Sequence, residues 1–117
     1  MNYLFVLNDP PYGTERTYNG LRLAHNLVSK HEGERVVVFL MGDAAAAGKA
    51  GQKTPNGYYN LERMLEAIVA RGGEVLACGT CMAARGLEAG ELVEGCAKST
   101  LDELGRRTVA ADRVLVF

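Results

Sequence analysis

No apolar run in this sequence approaches the roughly 20 residues that a membrane-spanning helix needs. The first apolar stretch, Tyr3 to Leu7, is too short for the core of a signal peptide and has no basic flank, so a cytoplasmic location is expected. An excess of one charge is missing too: 13 Lys+Arg stand against 14 Asp+Glu, a formal net charge of -1. With that balance and no basic cluster along the chain, direct contact with nucleic acid is not expected. Cysteine is scarce and odd in number. Cys78, Cys81 and Cys96 are too few for a disulfide scaffold, and only one half of a four-ligand zinc motif is present, so no metal and no other cofactor is expected. Internal repeats, linkers and low-complexity tracts are lacking, and residues 1–117 read as one domain.

What is there is an ordinary globular composition, 48% hydrophobic and 23% charged, in a chain long enough to bury a core without staples. The period of the hydrophobic pattern alternates. Tyr3 to Leu7 and Arg35 to Met41 are continuous apolar runs, as strands covered on both faces should be, and Glu74 to Ala77 is a shorter one running into Cys78. Between them, Thr14 to Lys30 and Asn60 to Arg71 repeat at helical spacing, with Thr14 a candidate cap and Gly72-Gly73 a stop. Gly86 to Val93 reads as a loop with a helical turn, and Glu94 to Lys98 as a weaker strand. A last helix is capped from Ser99 or Thr100, with Asp102 and Glu103 offered to a capping box, and Arg113 to Phe117 is the final strand. Strands alternating with helices predict the α/β class: a single three-layer α/β/α domain around a parallel sheet.

Ligand sites in such sheets form in the loops after the carboxyl ends of the strands. The loop after the third strand, Cys78-Gly79-Thr80-Cys81-Met82-Ala83-Ala84-Arg85-Gly86, carries the most chemistry. Cys78 closes a strand just before a short helix over Thr80 to Arg85, where the helix dipole lowers a thiol pKa and favours thiolate. Arg85 adds a second, weaker push if the turn brings it round. Thiolate is the form that attacks sulfane sulfur or a disulfide. Against this stand small buried cysteines at a strand–helix junction, and a dithiol switch, whose CxxC spacing fits but whose place after a third strand does not.

The other loops are blander. Gly48 to Thr54 mimics a phosphate loop, but Gln precedes Lys-Thr and the segment lies well past the strand end, so nucleotide binding is discounted. Asp43 is expected to cap a turn over Ala44 to Ala47, and Gln52 and Lys53 to be solvated. Pro10-Pro11-Tyr12-Gly13 is either the turn into the first helix or one wall beside the cysteine. Tyr58-Tyr59 are candidate interface aromatics, and His25 and Cys96 read as packed residues.

LNDPPYGTE after the first strand, FLMGDAA after the second, GQK in the long loop and CGTCMAARG after the third together resemble the DsrE/DsrF family, its YchN-like branch in particular. The resemblance spans essentially the whole chain. It implies a five-stranded parallel sheet, assembly into homotrimers or homohexamers, and a role in sulfur relay between donor and acceptor proteins. It also implies that Cys78 is the cysteine that carries sulfur as a persulfide, with Cys81 a second cysteine of that branch. The candidate site is therefore Cys78 and Cys81 as reacting groups, with Tyr12, Gly13, Asp43, Thr80 and Arg85 around the substrate. A small-ligand-binding oligomer or a thiol redox sensor would use the same residues without sulfur transfer.

Overall fold

The computed structural model describes residues 1–117 as a five-stranded, all-parallel sheet flanked by helices. The strands are β1 (Asn2–Leu7), β2 (Arg35–Leu40), β3 (Glu74–Cys78), β4 (Cys96–Ser99) and β5 (Arg113–Val116). The helices are α1 (Arg16–Lys30), α2 (Leu61–Ala70), α3 (Gly79–Ala84) and α4 (Leu101–Ala110), with 3₁₀ turns at Gly42–Gly48 and Ala89–Glu91. The expected α/β class and five-stranded parallel sheet are what the chain adopts.

Strand order is β4-β3-β2-β1-β5. Successive right-handed crossovers from β1 to β4 step one way across the sheet and place α1 and α2 on one face. The return from β4 to β5 runs the other way and puts α4 on the opposite face. Side-chain alternation follows the layers. Phe5, Leu7, Val36, Val38, Leu40, Val75 and Ala77 face α1 and α2 and build the large core with Leu21, Ala24, Leu65 and Ile68. The other face holds a small cluster of Leu4, Phe39 and Cys78, against which Leu104 and Ala111 of the α4 segment pack. α4 itself contains no fully buried residue, so this second layer is thin.

Helix starts differ from expectation by a residue or two. α1 begins at Arg16 with Glu15 at the N-cap position; Thr14, one residue earlier, accepts from Arg16 N–H at 3.4 Å while its hydroxyl donates to the Asp9 carboxylate at 3.0 Å. Asn60 caps α2, its side-chain oxygen accepting from Arg63 N–H at 3.2 Å. Thr100 caps α4 through Glu103 N–H at 3.1 Å, but no reciprocal box forms, because the Glu103 carboxylate turns to Arg106 and Arg107. β4 starts at Cys96 because Gly95 turns at φ +89°, where an added Cβ would meet Val69 at 2.6 Å.

Candidate functional site

Cys78 ends β3 and stands opposite Ser99 at the end of β4. The chain leaves β3 toward the α1–α2 layer and leaves β4 toward the α4 layer, so the connections diverge at these two strand ends, where ligand sites form in open parallel sheets. Gly79 makes the junction possible: a Cβ there would lie 2.9 Å from the Ser99 carbonyl and 2.9 Å from Lys98 Cε. The chain then enters α3 directly, with Cys78 as its N-cap.

The cap is a sulfur. Cys78 Sγ accepts from Cys81 N–H at 3.3 Å and lies 3.3 Å from the Thr80 hydroxyl. Burial pushes the Cys78 thiol up, but the bonds from the side chains and backbone of Cys81 and Thr80 together outweigh it, and its pKa falls below the ordinary 9.0. Cys81 moves the other way. Burial and the neighbouring Cys78 sulfur raise its pKa above 9.0, against the partial pull of Gly42 N–H and Arg85. The pair therefore separates into one sulfur disposed to be thiolate and one disposed to be thiol. All three cysteines are free. Cys78 is 5% exposed, and the exposed Thr80 is its polar neighbour on the solvent side.

Arg85 and Asp43 join this group. Arg85 Nε and Nη2 donate to Asp43 Oδ1 at 3.0 and 2.7 Å, and Nη1 donates to the Cys81 carbonyl at 3.0 Å. Asp43 lies within the 3₁₀ turn that follows β2 and makes no capping bond. The cap expected of it gives way to an ion pair that sequence could not pair up. Arg85 acts on Cys81 and not, as expected, on Cys78.

Tyr12 and Gly13 lie in the loop after β1. The Tyr12 ring packs with Tyr58 and Tyr59, its hydroxyl accepts from Leu61 N–H at 3.3 Å, and it packs against the large core, as Cys81 also does. Tyr59 stacks on Tyr18 at 4.0 Å and donates to the Thr14 carbonyl at 3.2 Å. Tyr59 thereby straps the long loop to the start of α1, while Tyr58 is 56% exposed. Gln52 is no solvated side chain either: its amide closes the 3₁₀ turn by donating to the Ala46 and Lys49 carbonyls at 2.7 and 3.0 Å. Cys96 packs under Gly48, and burial pushes its thiol up to about 11, as suits an inert residue.

The chain matches the DsrE/DsrF-like family over residues 1–117. It belongs to that family. Protein YchN of Escherichia coli K12 is 41% identical over 114 residues, covering 97% of each chain. Protein MK0008 of Methanopyrus kandleri is 39% identical over 96% of this chain and 90% of its own length. The crystal structure of E. coli YchN superposes with a TM-score of 0.89 at 38% identity, over 99% of this chain and 98% of that one. MTH1491 of Methanobacterium thermoautotrophicum shares the fold, with a TM-score of 0.80 at 15% identity over 99% and 98% of the two chains. No helix of this DsrE/DsrF-like chain is long and apolar enough to cross a membrane.

Proposed function

We propose that the protein is a sulfur carrier of the DsrE/DsrF-like family, with Cys78 as the sulfur-accepting thiolate. The observation that supports this most is the Cys78 sulfur at the N-cap of α3, accepting from Cys81 N–H at 3.3 Å and 3.3 Å from the Thr80 hydroxyl, bonds that lower its pKa while that of Cys81 rises. The Cys78 thiolate attacks the terminal sulfur of a donor persulfide; a Cys78 S–S bond forms, the donor's S–S bond breaks, and the donor leaves as thiolate. Cys81 N–H and the Thr80 hydroxyl hold the charge on Cys78 before attack. Delivery is the same exchange run onto an acceptor thiol, which returns Cys78 to thiolate. Without an acceptor, Cys81 gives up its proton and attacks Cys78 Sγ, releasing hydrosulfide and leaving a Cys78–Cys81 disulfide. The sulfane sulfur gains the two electrons that the two thiols lose.

Donor and acceptor are proteins that present a sulfur to Cys78 at the strand ends, in a compartment reducing enough to keep the thiols free. We propose further that the working form is a homotrimer or homohexamer. The thin α4 layer supports this: Leu101 and Val109 of α4 are 70% and 89% exposed, and Val114 and Val116 of β5 are 44% and 67% exposed. Sedimentation of the purified chain at micromolar concentration tests the assembly, and a monomer would contradict it. Thiol mapping after treatment with a sulfane-sulfur donor tests the carrier, and a sulfur adduct that is absent, or lies away from Cys78, would contradict that.

A further inference from the structure

The sequence shows no basic cluster, yet the fold assembles one. Arg22, His25, Ser29 and Lys30 lie at spacings of three, four and one along α1, which puts them on one helical face. That face does not turn to the core. It forms one side of an open groove of about 410 Å³, whose other side is Arg63 of α2 and whose apolar patch is Met64 and Ala67. No carboxylate lines the groove, and none of the chain's ion pairs engages Arg22, Lys30 or Arg63. In a chain of net charge -1, that is a local field of one sign.

Two of these cations are placed in ways that solvation alone does not account for. Arg63 is the third residue of α2, at the positive end of the helix dipole, where a cation is disfavoured and an acidic side chain is the stabilising choice. The Arg22 guanidinium is held 5.5 Å above the Tyr18 ring, and its Nη1 donates to Asn19 at 3.3 Å, which fixes its direction while leaving other N–H groups free. Lys30, by contrast, suits the last turn of α1 on dipole grounds and contributes only charge. Between them, His25 and Ser29 form a half-buried hydrogen-bonded pair at 3.2 Å that offers polar contacts to the groove wall.

Two guanidinium forks and an ammonium around a cavity of small-molecule size match the oxygens of a phosphate ester, which arginine grips through paired N–H donors. We propose that the α1–α2 groove is a binding site for a small phosphorylated molecule bearing at least two negative charges. The apolar patch of Met64 and Ala67 takes the uncharged part of that molecule. None of the groove residues belongs to the cysteine site, so occupancy does not depend on sulfur chemistry.

The test is a titration of the isotope-labelled full chain with inorganic pyrophosphate, followed by amide chemical shifts at about 0.15 M salt. The site predicts saturable shifts confined to residues 22–30 and 63–67, with a dissociation constant of about 1 mM or tighter. Arg63→Gln and Arg22→Gln, both exposed and checked for folding by circular dichroism, each weaken binding by about tenfold, and Cys78→Ser leaves it unchanged. Shifts that fail to saturate, that centre on α3, or that survive the double variant undiminished would overturn the proposal. An acidic peptide that binds where pyrophosphate does not would also overturn it and would assign the groove to a protein partner.

Discussion

One guanidinium ties the loop after β2 to the second cysteine: Arg85 donates to Asp43 Oδ1 at 2.7 Å through Nη2 and to the Cys81 carbonyl at 3.0 Å through Nη1. α3 has only six residues; Gly86, at φ +65°, closes its C-terminal end with Leu87 N–H donating to the Met82 carbonyl at 2.9 Å, and the Arg85 clamp reinforces that closure. The charge that reaches the thiols through it acts on Cys81.

Arg85→Ala therefore separates the two thiols further. Without the cation, burial and the Cys78 sulfur raise the Cys81 pKa unopposed by any side chain, and Cys81 thiolate becomes scarcer near neutral pH. Closure of the Cys78–Cys81 disulfide from the persulfide slows several-fold, while loading of Cys78 is unchanged. The ion pair is partly exposed, so stability falls by only about 0.5 kcal/mol. Rapid alkylation quench with mass analysis reads both rates, and equal closure in variant and wild type would contradict the assignment.

Alkylation rate against pH separates the three thiols. Thiolate is the reactive form, so each rate rises through that thiol's own pKa. Cys78 reaches its midpoint below 9.0, Cys81 above it, and Cys96 last, near 11. Cys78→Ser abolishes the early phase. A first phase that maps to Cys81 would reverse the roles of donor and resolver.

Gly79→Ala probes the close approach of the β3 and β4 ends. Its Cβ would enter to 2.9 Å from the Ser99 carbonyl, which belongs to β4 and cannot swing aside as the Lys98 side chain can. The cost is about 1–3 kcal/mol in chemical denaturation, with a loss of Cys78 reactivity as α3 is pushed off its sulfur cap. Full stability in this variant would show that β3 and β4 part without penalty.

Cys96 makes stability fall in alkali. Its folded pKa of about 11 lies above the value for an exposed thiol, so the unfolded chain releases its proton first as pH rises. The contribution is fully present below about pH 9 and is lost toward pH 11, amounting to about 3 kcal/mol. Cys96→Ala removes this slope between the two pH values. An unchanged slope would mean that Cys96 reaches solvent.

The strands were readable because β1 and β2 are buried on both faces and leave unbroken apolar runs, and the helix over Leu61 to Ala70 because Asn60 and Gly72 bracket it. Cys78 and Cys81 were readable because only two residues, Gly79 and Thr80, separate them. Asp43 and Arg85 lie 42 residues apart, and no periodicity links a surface aspartate to a surface arginine at that distance. Tyr12 was readable as a loop residue after β1, but its packing with Tyr59 and the bond its hydroxyl accepts from Leu61 N–H join segments far apart in the chain, which no local pattern shows. The divergence of the chain at the ends of β3 and β4 depends on β5 returning beside β1, and strand order is not written in any local pattern.

The most direct test of Cys78 as the sulfur-accepting thiolate is the intact mass of the reduced protein after incubation with a sulfane-sulfur donor, followed by peptide mapping. The account predicts the gain of one sulfur atom on Cys78, reversed by reductant, abolished by Cys78→Ser and retained in Cys96→Ser. Loading that survives Cys78→Ser, or no adduct on a chain whose three thiols alkylate at ordinary rates, would contradict it.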